Sequence, residues 1–379
     1  MKLFALGELP GLQSLTVFHA LAMLNMECLI VVSPRDPIVS IGYFEEADES
    51  VDLGSCEKHN ISVMRREIGG GTTYLDANQV FYQLVLRKGN PIIPIRIVDR
   101  YRLFSEPPIQ TYRRFGLEVE FRPINDLCTK EGRKIAGEAG GDIGESIVFA
   151  GGILLDFDYL AASRIMRVPD KTFRDMLYKS MKENLTSMKR ELGEAPQKKE
   201  VECVLVEEYE KLLGPMEPAE LSPAVQELMA ELEDKFTAPH SAPKRGLRPR
   251  MEVKVAEGVR VVRRLHQGAE GTIRLTMEVK NDKVIDIAIS SDWAFSANDE
   301  LRRLERTLRG VRLQGDVLRR VLRRFCEQYG VDSEEIGLQD LARTILAKQL
   351  RRQHSPLLDV RAAERQIDST SNEDLASEQ

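Results

Sequence analysis

Arg65-Arg66-Glu67-Ile68-Gly69-Gly70-Gly71-Thr72-Thr73-Tyr74-Leu75-Asp76 is the stretch that decides how this chain is read. Three glycines follow a strand-like run (Ile61–Met64) and two arginines, and precede a second strand-like run, Val80–Leu86. Without side chains, such a loop wraps closely around a ligand and points unhindered N–H groups at an anion. The two guanidinium forks suit a carboxylate or a phosphate. A glycine-rich hairpin turn would look the same in isolation.

A second stretch removes that isolation. Gly132-Arg133-Lys134-Ile135-Ala136-Gly137-Glu138-Ala139 follows Asn125-Asp126 and sets a lysine in a short apolar strand bounded by glycines. Lys134 alternates with Ile135 and so points to the opposite face of that strand. If that face lines a pocket, the ammonium is aimed at charge developing on a phosphate or carbonyl oxygen. If it lies at a sheet edge, the lysine blocks unwanted pairing.

Taken together, the two stretches resemble the lipoate–protein ligase family, within the biotin/lipoate protein ligase superfamily. That family carries an Arg-Arg-x-Ser-Gly-Gly-Gly loop, then Asn-Asp, then Gly-Arg-Lys-Ile-x-Gly, then an apolar strand matched here by Gly151-Gly152-Ile153-Leu154-Leu155. The order and approximate spacing of four separate elements agree. Residues 271–325, including Ser290-Ser291-Asp292-Trp293, resemble the small accessory domain of many such ligases. Three positions depart: Ile68 replaces the usual Ser, Leu75 the His before Asp76, and Gln79 a common Asn. These keep the backbone cradle, alter its polar lining, and point to a specialised branch.

The resemblance implies a fold and a chemistry. The fold expected is α+β: a catalytic domain on a mixed or antiparallel sheet, like that of class II aminoacyl-tRNA synthetases and biotin ligases, over 1–240, then a small α/β accessory domain over 250–348. The chemistry expected is attachment of lipoate to a lysine of a carrier protein through a lipoyl-adenylate, with ATP and Mg2+. By resemblance Lys134 is catalytic, bridging carbonyl and α-phosphate oxygens. Arg66, Gly69, Gly70 and Gly71 cradle the carboxyl–phosphate junction. Asp126, with Asn125, contacts nucleotide or the magnesium ion, and Gln79 is a further nucleotide contact. Asp76 holds either ligand or loop, and Gly137 and Ala139 keep one wall of the acyl site small. The acceptor is a glycine-cleavage H protein, an acyltransferase subunit of a 2-oxo acid dehydrogenase, or a lipoate-binding protein of sulfur metabolism, to which the three departures point. Two alternatives stand beside this: an ATP-independent octanoyl or lipoyl transferase using Cys128 as thioester nucleophile, and a non-catalytic lipoate sensor.

Composition fits a two-domain enzyme. The 379 residues exceed one typical domain, with 42% apolar and 30% charged residues. No run approaches the ~18 apolar residues of a membrane span. The start lacks a basic segment followed by an apolar one, and the five cysteines (28, 56, 128, 203, 326) are scattered without a C-x-x-C pair, which fits a reducing cytoplasm. Charge is uneven: net −10 over 1–243, +9 over 244–325 and −5 over 326–379. Arginines at 302, 303, 306, 309, 312, 319, 320, 323 and 324 fall between leucines and valines at helical spacing. That spacing reads as the solvated face of two amphipathic helices, with an acidic protein partner as the alternative. The basic block offers few aromatics (Trp293, Phe295, Phe325) for stacking bases, which argues against nucleic acid.

Pattern also predicts elements. Helices are expected at Leu12–Leu24, 94–115, Lys171–Leu192, Glu200–Leu213, Ser222–Phe236, Asp299–Leu308 and Asp316–Gln328, with His19 a packing residue. Strands are expected at Cys28–Val32, Ile38–Tyr43, Ile61–Arg66, Thr72–Leu75, Val80–Leu86, Glu118–Arg122, Arg133–Ala136, Ile147–Leu155 and, after a linker at 237–249, at 251–256, 259–265, 271–280 and 284–290. Residues 355–379 are polar enough to expect a disordered tail.

Overall fold

The computed structural model describes residues 1–237, 251–268, 271–291, 298–330 and 338–347. Most of the 237–249 linker, Asp292-Trp293 and the 355–379 tail lie outside the described residues. In chain order the elements are β1 Lys2–Leu9, α1 Gln13–Met23, β2 Cys28–Pro34, β3 Ile38–Ile41, α2 Ala47–Ser50, α3 Leu53–Lys58, β4 Ser62–Arg65, β5 Thr73–Leu75 and β6 Gln79–Arg87. Then come α4 Ile97–Phe104, α5 Glu106–Arg114, β7 Val119–Arg122, β8 Asp126–Thr129, β9 Lys134–Gly137, β10 Ala139–Ile143, β11 Ser146–Leu154, α6 Tyr159–Ile165, α7 Lys171–Asn184, α8 Met188–Leu192, α9 Lys198–Leu213, β12 Glu217–Pro218 and α10 Pro223–Thr237. The last part holds β13 Glu252–Ala256, β14 Val259–Gly268, β15 Gly271–Lys280, β16 Lys283–Ser291, α11 Asn298–Leu308, α12 Gly315–Tyr329 and α13 Leu338–Leu346.

The main sheet is mixed, in the order β10-β11-β6-β2-β1-β12, and two three-stranded sheets (β4-β3-β5 and β7-β8-β9) flank it. β1 and β2 are parallel, with α1 as their crossover, while β2, β6, β11 and β10 pair antiparallel. Both faces of this sheet are covered, so β2 is buried along its whole length and apolar from Cys28 to Val32. Its alternate residues serve different cores. Leu29 and Val31 join the layer under α5 and α9, and Ile30 and Val32 join the layer under α1 and α10.

Two expected helices are broken, each for a visible reason. The segment 94–115 splits at Ser105 because Pro107 and Pro108, in the first turn of α5, lack the amides a continuous helix would need. The segment 171–192 splits after Asn184, where the chain turns extended and Thr186 N–H donates to Lys134 O at 2.9 Å. Strands β1, β8 and β10 carry no strong alternation of their own and were not expected from pattern.

The accessory elements form an antiparallel meander, β13-β14-β15-β16, with the Asn281-Asp282 turn between β15 and β16 at positive φ for both residues. Helices follow this sheet along the chain and do not alternate with its strands. One face packs on α11, α12 and α13, and the other on α7 of the catalytic part. Val253, Val255 and Val261 share one apolar cluster with Phe173, Leu177 and Ile41. Residues Met1–Leu346 are therefore one compact unit, in which the accessory elements share packing with the catalytic part.

Candidate active site

The glycine loop joins β4 to β5 and is held from three sides. Arg66 is buried and its guanidinium is turned to the back of the loop. Nε and Nη2 donate to Gly69 O at 3.1 and 2.9 Å, Nη2 also donates to Gly71 O at 2.7 Å, and Nη1 donates to Ser40 O and Ser40 Oγ at 3.0 and 3.1 Å. Its donors are thus taken up by the protein, so Arg66 shapes the cradle from behind and does not face a ligand. Burial pulls its pKa down to about 10.

Gly42, at the end of β3, makes the second contact: a Cβ there would lie 1.9 Å from Gly70 O. Gly70 itself has φ +94°, which favours glycine. His19 makes the third. It is fully buried in α1 and lies beside Leu15 O at 2.8 Å through Nδ1, while Nε2 accepts the Glu67 N–H at 3.0 Å. Desolvation pulls its pKa down to about 3, so it is a neutral imidazole with Nδ1–H donating and Nε2 accepting. His19 is not a catalyst, as expected, but it is more than packing because it fixes the loop's entry.

Lys134 opens β9. Ile135 points into the core and Lys134 to the other side, half-buried, as alternation requires. Its Nζ stands 2.8 Å from Asp126 Oδ1, a close ion pair without hydrogen-bond alignment. The lane for this side chain exists because residue 137 is glycine, since a Cβ there would meet Lys134 Nζ at 2.7 Å and Cε at 2.9 Å. β9 is an edge strand, and its outer backbone is covered by the Thr186 amide.

Loop and lysine meet across residues 137–140. Gly69 N–H donates to Gly140 O at 3.1 Å, and a Cβ on Gly70 would touch Ala139 at 3.4 Å. Gly140 and Gly137 are about 10 Å apart along the chain at ~3.3 Å per residue. The structure thus brings Gly69, Gly70, Gly137, Ala139, Lys134 and Asp126 into one neighbourhood.

Other expected residues take supporting places. Asn125 clamps the β9–β10 junction, its Nδ2 donating to Glu138 O at 2.6 Å and its O accepting Glu138 N–H at 2.9 Å. Asp76 is buried and accepts the Asn78 N–H at 2.9 Å, which fixes the turn into β6. Burial pushes its carboxyl up, and the Asn78 hydrogen bonds oppose this. Gln79 begins β6 with a buried Nε2 that has no aligned acceptor. The hydroxyl of Tyr112 donates to Ile135 O and accepts from Leu154 N–H, both at 3.2 Å, which brings β9 to the β11 end where Gln79 pairs with Leu154.

Asp126, the expected nucleotide or magnesium contact, has protein partners in this structure. It is buried, and besides Lys134 it accepts the Glu257 N–H on Oδ2 at 2.9 Å. No group of three or more His, Cys, Asp or Glu able to hold a metal lies among the described residues. Mg2+ is usually held by one or two carboxylates together with substrate phosphates, so Asp126 is the residue that would meet an ion carried in on the phosphates, and no step below is routed through it.

Sequence reasoning missed Glu138. Its Oε1 accepts the Tyr82 hydroxyl at 2.8 Å, and its Oε2 lies 2.5 Å from Ser105 Oγ. The Ser105 hydroxyl reaches Tyr101 O at 2.5 Å as well, so its single proton is shared between two acceptors and a proton on Glu138 would relieve the competition. This fits a carboxyl that burial pushes up to about 8. A charged residue between Gly137 and Ala139 gave no sequence signal of being buried.

The glycine loop, the lysine and the buried carboxylate thus lie together on the two small sheets that flank the main one. Residues 15–210 match the Lipoyl protein ligase A/B catalytic domain, and residues 262–345 match the Bacterial lipoate protein ligase C-terminus. The chain belongs to the lipoate protein ligase family, which includes ligases and octanoyltransferases. An octanoyltransferase LipM of Kyrpidia tusciae is 30% identical over 53% of this chain and 81% of that protein. A lipoate–protein ligase 2 of Staphylococcus aureus is 24% identical over 76% of this chain and 82% of that protein. Among solved structures, a bipartite lipoate protein ligase of Thermoplasma acidophilum, described with its E2 lipoyl domain, superposes with a TM-score of 0.57 at 26% identity, covering 66% of this chain and 97% of that one. No helix among the described residues is long and apolar enough to cross a membrane.

Proposed function

We propose that the protein activates lipoate or octanoate with ATP and transfers the acyl group to a lysine of a lipoyl-carrier protein. A carboxylate is a poor electrophile and its adenylate a good one. In the first step a carboxylate oxygen attacks the α-phosphorus and pyrophosphate leaves. In the second the acceptor amine attacks the acyl carbon, loses a proton, and AMP leaves. Lys134, turning from Asp126 to the ligand, would neutralise charge on the carboxyl and α-phosphate oxygens in both steps. The N–H groups of Gly70 and Gly71 would line the junction, with the Gly69 N–H anchoring the loop to Gly140 O, and Asn125 and Gln79 are the candidates for nucleotide contact.

The observation that carries this reading is the Lys134 ammonium, held 2.8 Å from Asp126 in the lane Gly137 leaves, one short strand segment from the glycine loop. Lys134→Gln removes the charge while leaving a donor for Asp126, whereas Lys134→Ala would leave a buried carboxylate unpaired and damage the fold. Loss of adenylate formation in folded Lys134→Gln is expected, and ordinary turnover would overturn the assignment.

The octanoyltransferase relatives favour a second reading, ATP-independent transfer through a thioester. Against it, Cys128 is buried and burial raises its thiol pKa, while Cys203 is exposed on α9, whose residues Val201 and Leu205 are the ones that pack in the core with Ile135. Intact mass of apo H protein, an acyltransferase lipoyl domain and a lipoate-binding protein, each incubated with acid and enzyme with and without ATP, decides between them. An ATP-dependent acyl increment supports the ligase and names the acceptor. An increment from an acyl-carrier donor without ATP supports the transferase.

A further inference from the structure

We propose that the arginine-rich outer face of α11 and α12 docks an acidic protein domain, the carrier that receives the acyl group; the identity of that partner rests on the function proposed above. The two helices are sharply two-faced. Leu304, Leu308, Leu318, Leu322 and Phe325 are buried on the accessory sheet. Outward, Arg302, Arg303 and Arg306 of α11, Arg319, Arg320, Arg323 and Arg324 of α12, and Arg309 and Arg312 between them are all exposed. Arg303 lies over the ring of Tyr329 at 5.4 Å, which ties the α11 face to the end of α12 and makes the two rows one surface.

Internal neutralisation is slight. Arg309 pairs with Asp286 at 2.9 Å and Arg320 with Asp316 at 3.3 Å. Among the described residues, Arg302, Arg306, Arg312, Arg319, Arg323 and Arg324 face no carboxylate. Arg302 and Arg306, Arg319 and Arg323, and Arg320 and Arg324 stand four apart on their helices, a like-charge spacing that works against folding. Helix amphipathicity requires polar residues here but does not require one sign.

The chemistry of this face selects its partner. Guanidinium forks bind discrete carboxylates in paired hydrogen bonds. A nucleic-acid strand would want ring platforms, yet the one described aromatic on this face, Tyr329, is covered by Arg303. A small domain presenting an acidic patch needs no such platforms, and its attraction to net +9 over residues 244–325 would speed encounter.

The test is the triple variant Arg302→Glu, Arg319→Glu and Arg323→Glu in the full chain, with folding checked by thermal melt. Acyl-adenylate formed without carrier should match wild type, since none of the three touches the glycine loop or Lys134. At low salt, KM for the carrier acylated by wild type should rise on the order of tenfold, and calorimetric Kd for the same apo carrier should rise likewise. Both gaps should close as salt is raised. Unchanged KM and Kd overturn the proposal. So does salt-steep binding of single-stranded RNA that the variant loses while carrier affinity holds. If wild type forms no adenylate, the proposed function fails, and the Kd comparison across apo H protein, an acyltransferase lipoyl domain and a lipoate-binding protein still decides the docking face.

Discussion

Gly137→Ala should separate catalysis from folding. The added Cβ would stand 2.7 Å from Lys134 Nζ and 2.9 Å from Cε. Apolar contacts settle near 3.5–4.0 Å, so the end of the lysine must retreat by about 1 Å. The atoms in conflict belong to the tip of a flexible side chain, and residue 137 is not among the glycines at positive φ, so the backbone has no reason to move. Restricting the unfolded chain favours the alanine by about 0.4–1 kcal/mol, which offsets part of what the displaced ion pair loses. Net stability should stay within about 1 kcal/mol, a few degrees in melting temperature at most. Activity should respond far more, because a misplacement of about 1 Å in a group that meets reacting oxygens lowers rate on the order of 100-fold. The assay is ATP-dependent acylation of the carrier, read as kcat/KM, beside a thermal melt. A variant within threefold of wild type would refute the lane and its ammonium as catalytic. A collapsed melt would refute the claim that only the lysine tip is disturbed.

Gly42→Ala predicts the opposite balance: its Cβ meets Gly70 O at 1.9 Å, a backbone atom, so the loop itself must shift. Stability should fall by about 1–3 kcal/mol with activity, and a wild-type melt would contradict the close approach. Gly71→Ala, with nothing within 4 Å of the new Cβ, is the control and should melt like wild type. Glu138 has its pKa raised to about 8, above its unfolded value, so its contribution to stability is present at low pH and declines as pH rises from about 4.3 through 8. Glu138→Gln keeps a donor for Ser105 and an acceptor for Tyr82, and should flatten that decline and melt higher than wild type at alkaline pH; parallel pH curves would refute the neutral carboxyl. Cys128→Ser should keep carrier acylation, and loss of activity together with an acyl adduct on wild-type Cys128 by peptide mass would favour the thioester route.

Much of this arrangement was legible because its signals are local. Glycines announce close approach, the alternation of Lys134 with Ile135 fixes which way the lysine points, and the helical stripes of α1, α9 and α10 fix the layers. What escaped reading is tertiary. The resemblance implies ligand roles for Arg66 and Asp126, and nothing in their motifs announces the protein partners they also have. The fold supplies carbonyls behind the loop and a lysine beside β8, and those partners come from residues 26 apart and from a different strand. β8 and β10 escaped because pairing with neighbours, not their own composition, makes them strands. The break after Asn184 was illegible for the same reason, its cause being a hydrogen bond to Lys134 O.

The pairing of Lys134 with Asp126 carries an argument about readiness. Burying an ion pair stabilises a fold poorly, and apolar residues of similar size would commonly do as well. Its position makes more sense as storage. Asp126 is buried and keeps the Glu257 amide as a second partner, while the lysine side chain remains 23% exposed and can swing. An arriving carboxylate or phosphate then offers the ammonium a new counterion while the Glu257 amide stays with Asp126. Replacing one anionic partner by another changes free energy far less than creating a charge contact from water, so Lys134 can be recruited and released in successive steps. Asp126→Asn should therefore leave an ammonium without its stored position, weakening binding of the first substrates (KM) more than the later transfer step (kcat). A variant in which kcat falls while KM holds would show that Asp126 takes part in the chemistry itself.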